Sequence, residues 1–367
     1  MSEWKEYILE DVIDKFIDYR GKTPAKTTSG VPLVTAKIVK SGKILPPNEY
    51  ISCEDYDSWM TRGLPEIDDV VLTTEAPLGE VALINDASVA LAQRIITLRG
   101  NKKYLFNPFL KYYFQNDSGQ HLLQSRASGT TVFGIKASVL KKIPVVLPEV
   151  PEQRAIASVL SSLDDKIDLL HHQNQTLESM AQTLFRQWFI EEAGDWEEGT
   201  LGDVVNFNYG KTLRDQERSG NGYPVVGSSG VVGFHEKFLV EGPGIVTGRK
   251  GTLGVVNYFF DGFYPIDTTY YITSKIKTDG LFYEYILLKS VGLGEMNSDS
   301  AVPGLNRNAA HAIPIKIPTI KLIQDFNDFC RSNFEKIKIN IFQIKTLETL
   351  RDNLLPKLMS GEVRVSV

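Results

Sequence analysis

The sequence predicts an α/β protein: two mixed α/β domains joined by two long antiparallel helices that form an intramolecular coiled coil, with a pseudo-two-fold internal repeat. Three observations predict this fold class. Segments of the first half recur in the second half, each copy ends at a junction rich in isoleucine and proline, and each junction leads directly into a long helical pattern of apolar residues.

The internal repeat is visible in short matched segments. They are WKEYILEDV from Trp4 and WEEGTLGDV from Trp196, GKT from Gly21 and from Gly210, and Ile-Pro at Ile143 and Ile313. The offset between copies falls from 192 residues at the tryptophans to 170 at the Ile-Pro junctions, and then stays constant to Leu184 and Leu354. Loops tolerate length changes whereas packed helices do not, so the variable parts are predicted to be globular and the constant parts helical.

The repeat divides the chain into four segments. The first α/β domain is predicted at residues 1–148, the first long helix at 149–193, the second α/β domain at 194–318, and the second long helix with a C-terminal tail at 319–367. Apolar runs such as VALI and GIVTG are predicted to be short strands, with loops collected at one edge of each domain.

Each long helix is predicted from apolar residues three and four apart. They are Ile156, Val159, Leu163, Ile167, Leu170, Leu177, Leu184 and Trp188 in the first helix, and Phe326, Phe329, Ile337, Ile344, Leu347, Leu354 and Leu358 in the second. Pro151 suits a first turn, Thr319 suits an N-cap, and Gly194 and Gly361 suit helix stops. Roughly 40 residues make a helix about 60 Å long. A narrow stripe of this length needs a partner, so the two helices are expected to pack on each other.

The antiparallel orientation follows from connectivity, because a whole domain separates the end of the first helix from the start of the second. If the start of each helix lies beside the end of the other, Asn174 lies close to the position opposite Asn340. These two asparagines are the polar residues within the stripes. We therefore predict that these asparagines lie near one another and help to fix the helix register. The alternative is that each of them faces solvent.

Composition narrows the class of protein. A chain of 367 residues with 42% hydrophobic and 23% charged residues fits two or three globular domains. No apolar run reaches membrane-span length and no signal peptide is recognisable, so a cytoplasmic protein without membrane association is expected. The two cysteines allow no disulfide framework. A net charge of −5 permits nucleic-acid binding only if basic groups gather on one face or a partner supplies charge.

The motifs that would indicate catalysis fail on inspection. A phosphate loop needs a glycine where Phe16 and Val205 precede the two GKT segments, and the GxGxxG pattern from Gly242 ends at Thr247. His235-Glu236 lacks the second histidine of a zinc motif. We therefore assign no catalytic residue and no metal ligand, and a catalytic two-domain enzyme is disfavoured.

Glycine- and threonine-rich loops are the more informative feature, because they recur in matching places of both halves. They are RGKTP (20–24), VTAKIVKSGK (34–43), TTEAPLGE (73–80), LAQRI (91–95) and SGTTVFGI (128–135) in the first half, and YGKTLRD (209–215), VVGSSGVVGF (225–234), VTGRKGTLG (246–254), IDTTYY (266–271) and VPGLNRN (302–308) in the second. Arg, Lys, Gln, Asn, Ser and Thr on such loops are the residue types that read base edges and hold phosphates.

Fifteen residues on these loops are candidate DNA contacts. They are Lys22, Thr23, Lys37, Gln93, Arg94, Thr130 and Thr131 in the first domain, and Lys211, Arg214, Ser228, Ser229, Arg249, Lys250, Asn306 and Arg307 in the second. Each loop taken alone is as easily an ordinary polar turn. Their recurrence in both halves favours a shared binding role.

The whole chain resembles the specificity (S) subunit of type I restriction–modification systems. The segments that carry the resemblance are IPVVLPEVPEQRAIASVLSSLDDKI (143–167), IPIKIPTI (313–320), RGKTP, SGTTVFGI and GPGIVTGRKGTLG (242–254). In the second copy LIQDF (322–326) replaces EQRAI, which is a departure from the family pattern.

The resemblance implies two target-recognition domains, each reading one half of a bipartite DNA sequence, with the helices acting as a ruler. It further implies that two methyltransferase (M) subunits dock on the helices and that restriction (R) subunits join them. The chain itself would bind no cofactor, whereas M subunits would bind S-adenosylmethionine and R subunits ATP and Mg. A coiled-coil scaffold that organises partner subunits without reading DNA is the rival interpretation.

Overall fold

The computed structural model describes residues 4–129, 133–297 and 303–365. The chain folds into two compact units, one formed by Met1–Asp168 with Lys345–Val367 and the other by Leu169–Ile344. Each unit contains one α/β domain and a segment of each long helix.

The first domain contains twelve short strands and four helices among its described residues. The strands are β1 Lys5–Ile8, β2 Ile13–Asp18, β3 Lys26–Thr27, β4 Val31–Val34, β5 Val39–Lys40, β6 Lys43–Ile44, β7 Tyr50–Ile51, β8 Val70–Thr74, β9 Leu78–Leu83, β10 Ala90–Leu91, β11 Ile95–Gly100 and β12 Pro144–Leu147. The helices are α1 Tyr56–Trp59, α2 Asn107–Gln115, α3 Asp117–Gln124 and α4 Ala137–Leu140, and a 3₁₀ turn spans Leu9–Asp11. The first long helix, α5, spans Val150–Arg186 and continues into a π-helical turn at Gln187–Glu191.

The second domain repeats this order with fewer elements. Its strands are β13 Glu197–Thr200, β14 Val205–Tyr209, β15 Tyr223–Gly227, β16 Gly230–His235, β17 Gly244–Gly248, β18 Val256–Phe259, β19 Tyr264–Pro265, β20 Thr269–Ser274 and β21 Pro314–Ile317. Its helices are α6 Leu201–Val204, α7 Phe282–Ser290 and α8 Arg307–His311, with 3₁₀ turns at Asp215–Glu217 and Leu293–Glu295. The second long helix, α9, spans Ile320–Ser360.

Sheet topology confirms the internal repeat. The main sheet has the order β2-β11-β8-β9 in the first domain and β14-β20-β17-β18 in the second. Parallel pairs recur as β4 with β10 and β15 with β19. Strands at the ends of each copy also pair, with Lys5 opposite Leu147 in β1-β12 and Glu197 opposite Ile317 in β13-β21. The two copies therefore share a fold as well as short sequence matches, as the fold class predicted.

In the first unit, a partly buried carboxylate joins the two long helices to the domain. Asp164 of α5 accepts hydrogen bonds from the Tyr112 hydroxyl at 2.7 Å, from Arg351 Nη1 at 3.1 Å and from Lys111 Nζ at 3.3 Å. Burial alone would raise the pKa of Asp164, but these three donors outweigh burial and lower it. Residues early in α5 thus meet residues late in α9, so the two segments run antiparallel.

The second unit shows the same orientation from the other ends of the helices. Asn340 Nδ2 donates to Asn174 Oδ1 at 2.8 Å and to Gln173 Oε1 at 2.9 Å. The Phe185 ring of α5 packs edge-on against Phe326 of α9, with ring centroids 5.9 Å apart. The predicted contact between the asparagines is present, and Asn340 is fully buried. Their role in setting the helix register stays a prediction.

The predicted termini of the second long helix agree with the structure, whereas the predicted stop at Gly194 and one residue of the apolar stripe do not. The first long helix and its π-helical turn end at Glu191, with Glu192 as the cap. The Leu322 N–H donates to Thr319 Oγ1 at 3.3 Å at the start of α9, and Gly361 takes a positive φ of 75° after its end. Phe329 was predicted to lie on the stripe but is 48% exposed. The buried face continues from Phe326 by steps of four to Cys330 and Phe334, so Phe329 points away from it.

No helix among the described residues is long and apolar enough to cross a membrane.

Candidate nucleic-acid interface

A basic cleft of about 270 Å³ lies in the second domain, where loops meet at one edge of the main sheet. Its lining residues are Tyr209, Arg249, Lys250, Tyr270, Gly304, Leu305, Asn306, Arg307 and Asn308. Four of the sequence-predicted residues, Arg249, Lys250, Asn306 and Arg307, are therefore brought together although they lie far apart in the chain.

Backbone hydrogen bonds fix the loop that carries Arg249. The Arg249 N–H donates to Thr268 O at 2.9 Å, and Arg249 O accepts from the Leu305 N–H at 2.9 Å. Gly248 allows this close packing, because a Cβ there would lie only 1.9 Å from Thr252 O. The guanidinium therefore projects from a backbone that is held on both sides.

Two guanidinium groups contact the ring of Tyr209 in this cleft. Arg249 and Arg307 lie 4.9 Å and 5.0 Å from the ring centroid, within the range of cation–π attraction. Arg249 Nη1 also donates to Asp267 O at 2.8 Å. Tyr209 is 48% exposed, and its inner side packs on Tyr270, so an aromatic surface with two cations faces outward.

Tyr270 and His311 support this surface from below. The Tyr270 hydroxyl donates to Leu305 O at 3.1 Å. Burial is the main cause that raises the pKa of Tyr270, and the nearby Tyr209 hydroxyl acts in the same direction, so Tyr270 stays protonated. Burial also lowers the pKa of His311, with Lys275 and Arg307 acting in the same direction. His311 Nε2 accepts from the Phe207 N–H at 3.3 Å, which agrees with a neutral imidazole.

Asn306 has a structural role in addition to its place in the cleft. Its side-chain oxygen accepts from the Asn308 N–H at 2.8 Å and the Ala309 N–H at 3.1 Å, so it caps α8. The oxygen is thus committed to the helix. Only the side-chain amide nitrogen of Asn306 could donate to a ligand.

The other four predicted residues of the second domain do not line the cleft. Ser228 lies beside it, with its hydroxyl 3.3 Å from the position of a Cβ on Gly251, and Ser229 follows at the exposed β15-β16 turn. Lys211 is exposed and its N–H donates to Pro265 O at 3.0 Å. Arg214 is exposed at the start of a 3₁₀ turn, with its N–H bonded to the Glu217 carboxylate.

A smaller cleft of about 200 Å³ occupies the first domain. Its lining residues are Pro24, Lys26, Thr35, Ala36, Lys37, Glu49, Ala76, Ala92, Gln93 and Arg94, which include three of the predicted residues, Lys37, Gln93 and Arg94. Glu49 pairs with Lys26 at 2.8 Å and with Lys37 at 3.4 Å. The Lys26 hydrogen bond is the main cause that lowers the pKa of Glu49. This cleft therefore mixes both signs of charge.

The remaining predicted residues of the first domain lie elsewhere. Lys22 and Thr23 are exposed on the loop after Gly21 and do not line the cleft. Thr130 and Thr131 lie outside the described residues. Around them, Ser128 and Gly134 pair through two backbone hydrogen bonds of 2.9 Å and 3.0 Å, and Gly134 bridges to Glu75 beside the cleft.

Sequence reasoning missed three contributors to the clefts. Tyr209, Lys26 and Glu49 were not selected, although Tyr209 directly precedes the second GKT segment. An exposed aromatic at the end of a strand, next to a cationic loop, is the signal that could have identified Tyr209. No comparable signal marks Glu49, because its two lysine partners are distant in sequence.

The chemistry of the clefts suits recognition more than reaction. Arginine and lysine donors, an exposed aromatic ring and glycine-backed loops can contact base edges and phosphates. The part of the chain that the structure describes contains no group of three or more His, Cys, Asp or Glu side chains placed to hold a metal ion.

Comparison with known proteins gives consistent matches along the chain. The profile of the family described as "Type I restriction modification DNA specificity domain" matches residues 1–179 and 193–328. The chain is 25% identical to the type I restriction enzyme MjaIX specificity subunit of Methanocaldococcus jannaschii, over 81% of this chain and 78% of that protein. It is 22% identical to the type I restriction enzyme HindI specificity subunit of Haemophilus influenzae, over 99% and 100% of the two chains.

A solved structure has the same fold. The crystal structure of a type I restriction–modification S subunit from M. genitalium superimposes with a TM-score of 0.62, at 22% identity, over 97% of this chain and 96% of that chain. At this identity the likeness concerns the fold alone.

Proposed function

The chain belongs to the type I restriction modification DNA specificity family, and from that premise we propose that each of its two domains reads one half of a bipartite DNA target. The observation that carries the proposal is the pair of polar clefts at the same edge of two repeated domains. Donors on rigid loops can discriminate base edges, and lysines nearby can hold phosphates.

In this proposal, the long helices set the distance between the two half-sites. A rigid antiparallel pair would hold the two domains at one distance and so select one spacing between the half-sites; half-sites about 34 Å apart, one turn of DNA, lie on the same side of the duplex. The direct passage from β12 into α5, and from β21 into α9, supports the ruler, since a flexible linker would blur the distance.

We further propose that the chain itself carries out no chemistry and acts within a larger complex. Two methyltransferase subunits would dock on the helices and supply S-adenosylmethionine for adenine methylation. Restriction subunits would join them and use ATP and Mg. The specificity chain would contribute double-stranded DNA recognition and the geometry of assembly.

Sequence-selective binding by the assembled complex tests the proposal. The full chain is combined with the methyltransferase subunits of its system, and the complex is used to select bound sequences from a library of random duplexes. We expect a consensus with two fixed segments separated by a spacer, and methylation of adenines in that consensus in the host genome. Equal binding of the consensus and of a scrambled duplex with the same base composition would contradict the proposal and favour a scaffold.

A further inference from the structure

The two domains can be compared residue by residue at the cleft edge, because the same backbone hydrogen bonds occur in both. Thr74 N donates to Arg94 O and Thr74 O accepts from the Ile135 N–H, whereas Arg249 N donates to Thr268 O and Arg249 O accepts from the Leu305 N–H. Thr74 therefore corresponds to Arg249.

The next residue follows from the isolated bridges. Glu75 bridges to Gly134, and Lys250 bridges to Gly304. Glu75 in the first domain thus occupies the position of Lys250 in the second. This correspondence rests on backbone contacts within each domain and does not depend on the side chains.

The residues at corresponding positions carry different charges. Thr74 and Glu75 of the first domain stand where Arg249 and Lys250 stand in the second. At the start of the following helix, Ala137 of α4 corresponds to Arg307 of α8. At these three positions the second domain has three cations and the first has a single carboxylate, while Arg94 of the first domain stands at the position of Thr268.

Glu75 is presented outward at this edge. Its side chain is 43% exposed, and its Oε1 lies 3.2 Å from Nε of Arg94, whose side chain is 52% exposed. The other carboxylate oxygen and the guanidinium Nη groups can therefore reach a ligand. A carboxylate repels phosphate, so a role in general DNA attraction does not account for it.

We propose that the first domain uses Glu75 to accept a hydrogen bond from the exocyclic amino group of a cytosine or adenine, whereas the second domain uses its cations at the corresponding position for acceptor groups such as guanine O6 and N7. The two half-sites of the target therefore differ at the base pair that faces this position. Carboxylates accept from cytosine N4 in the major groove, and arginine and lysine donate to guanine O6 and N7. This inference rests on the proposed function, because it concerns the DNA that the two clefts would read.

The test is a selection of random duplexes by the full chain assembled with its methyltransferase subunits, followed by sequencing of the bound fraction. The variants are Glu75→Gln, Glu75→Lys and Lys250→Ala, and Glu54→Gln serves as a control at an exposed carboxylate away from the cleft. Co-purification with the methyltransferase subunits and far-UV circular dichroism establish that each variant folds and assembles.

We expect Glu75→Gln to reduce the preference for cytosine or adenine at one position of one half-site by about tenfold, with the other half-site unchanged. Glu75→Lys is expected to shift the preference at that same position toward guanine, and Lys250→Ala is expected to act only in the other half-site. Whether cytosine or adenine is lost identifies the base.

Two results would overturn the inference in distinguishable ways. A wild-type consensus that is unchanged in Glu75→Gln and Glu75→Lys refutes the role of Glu75 and leaves the proposed function intact. A wild-type complex without any consensus refutes the proposed function, and the inference is refuted with it.

Discussion

Tyr209 shows how neighbouring side chains define what a single residue can do in this protein. Its ring contacts the guanidinium groups of Arg249 and Arg307 and packs on Tyr270, so two flexible cations are held in place by an aromatic surface. Arg249 is further restrained by its bond to Asp267 O, whereas Lys250 is exposed on the same loop. An arginine with a fixed orientation suits bidentate reading of a base, and a more mobile lysine suits a single hydrogen bond to a base acceptor such as guanine O6 or N7.

Paired substitutions at Arg249 and Lys250 test this division of roles. Arg249→Ala is expected to relax the preference at one base pair by roughly 1–3 kcal/mol of discrimination. Lys250→Ala is expected to relax the preference within the same half-site, whereas Lys211→Ala, at an exposed lysine outside the cleft, is expected to weaken all sequences alike and to lower the slope of log K against log salt by about 0.9. Binding titrations of the assembled complex at several salt concentrations separate the two patterns. An Arg249→Ala complex with unchanged preference would remove Arg249 from the interface.

A buried acid in the second domain gives a residue-scale prediction about stability. Glu284 of α7 is fully buried, and burial raises the pKa of its carboxyl despite the hydrogen bond from Ser274. Above the ordinary value of 4.5 the unfolded chain loses a proton that the folded chain retains. The free energy of unfolding therefore falls as pH rises from that value toward the raised pKa.

The substitution Glu284→Gln removes this pH-dependent loss of the free energy of unfolding, because glutamine does not ionise. Relative to wild type, the variant is expected to gain stability as pH rises above 4.5, by at most about 1.4 kcal/mol per pH unit, and to lose the advantage at lower pH. Urea denaturation between pH 4 and pH 8 measures the difference, with exposed Glu54→Gln as the control. A stability difference that does not change with pH would show that the pKa of Glu284 is not raised in the folded protein.

At the scale of elements, the two long helices make a few polar contacts beside their apolar stripes, and we expect these contacts to set the helix register. Asp164 binds Tyr112, Lys111 and Arg351 in one unit, and Asn340 binds Asn174 in the other. Apolar stripes alone tolerate sliding by a heptad, because leucine and isoleucine pack without directional preference. A buried amide pair has one favourable partner position, and it penalises other registers.

A double-mutant cycle tests the asparagine pair. Asn174→Ala and Asn340→Ala are expected to show a coupling energy of about 1 kcal/mol, because either substitution alone removes their shared hydrogen bond. The midpoint of urea denaturation provides the measurement. Gln175→Ala, at an exposed amide one residue away, is the matched control and should show no coupling to Asn340→Ala. Coupling as small as in the control would refute a role in register.

Helix length is expected to control the spacing of the target. Insertion of seven residues after Asp168 in α5 and after Ile344 in α9 preserves both apolar stripes and adds about 10.5 Å to the helix pair. If the helices act as a ruler, the spacer between the two half-sites lengthens by about three base pairs. Selection from a random duplex library reports the spacer directly. An unchanged spacer in a complex that still assembles would refute the ruler.

At the scale of the whole molecule, the main features are the repeat of the α/β domain and the contact between residues near the start and the end of the chain. The net charge is −5, so attraction to DNA requires local groups such as those of the basic cleft or a partner that supplies charge. The first and last described residues of the chain belong to the same unit. The Trp4 ring lies 3.5 Å from the position of a Cβ on Gly361, and the Arg364 guanidinium lies 5.9 Å from the ring centroid of Trp4.

The closeness of the chain ends predicts that a circular permutant will function. Joining the two ends through a short flexible linker, with new ends between Ala193 and Gly194, preserves every element because the cut falls between the π-helical turn and β13. We expect the permutant to select the same DNA consensus as wild type. A permutant that folds and assembles but selects a different consensus would show that chain order affects recognition.

The sequence by itself determined the repeat, the two long helices, the termini of the second helix and the orientation of the pair. These features depend on local periodicity, on caps and on connectivity, which are properties of neighbouring residues. Asn174 and Asn340 could be paired from the sequence because each residue of a helix adds a constant rise along the helix axis, so residue numbers give positions along the pair. Phe329 was placed wrongly because a step of three and a step of four are both compatible with a stripe until the partner helix is known.

Only the tertiary structure decided which loop residues share a cleft and which charges correspond between the domains. Arg249, Lys250 and Arg307 meet through backbone pairing across the sheet, and the Glu49 pairs with Lys26 and Lys37 span different loops. The correspondence between Glu75 of the first domain and Lys250 of the second is defined by the backbone hydrogen bonds and bridges of the two domains. Loop residues have no periodicity, so their proximity is set by the sheet that carries them.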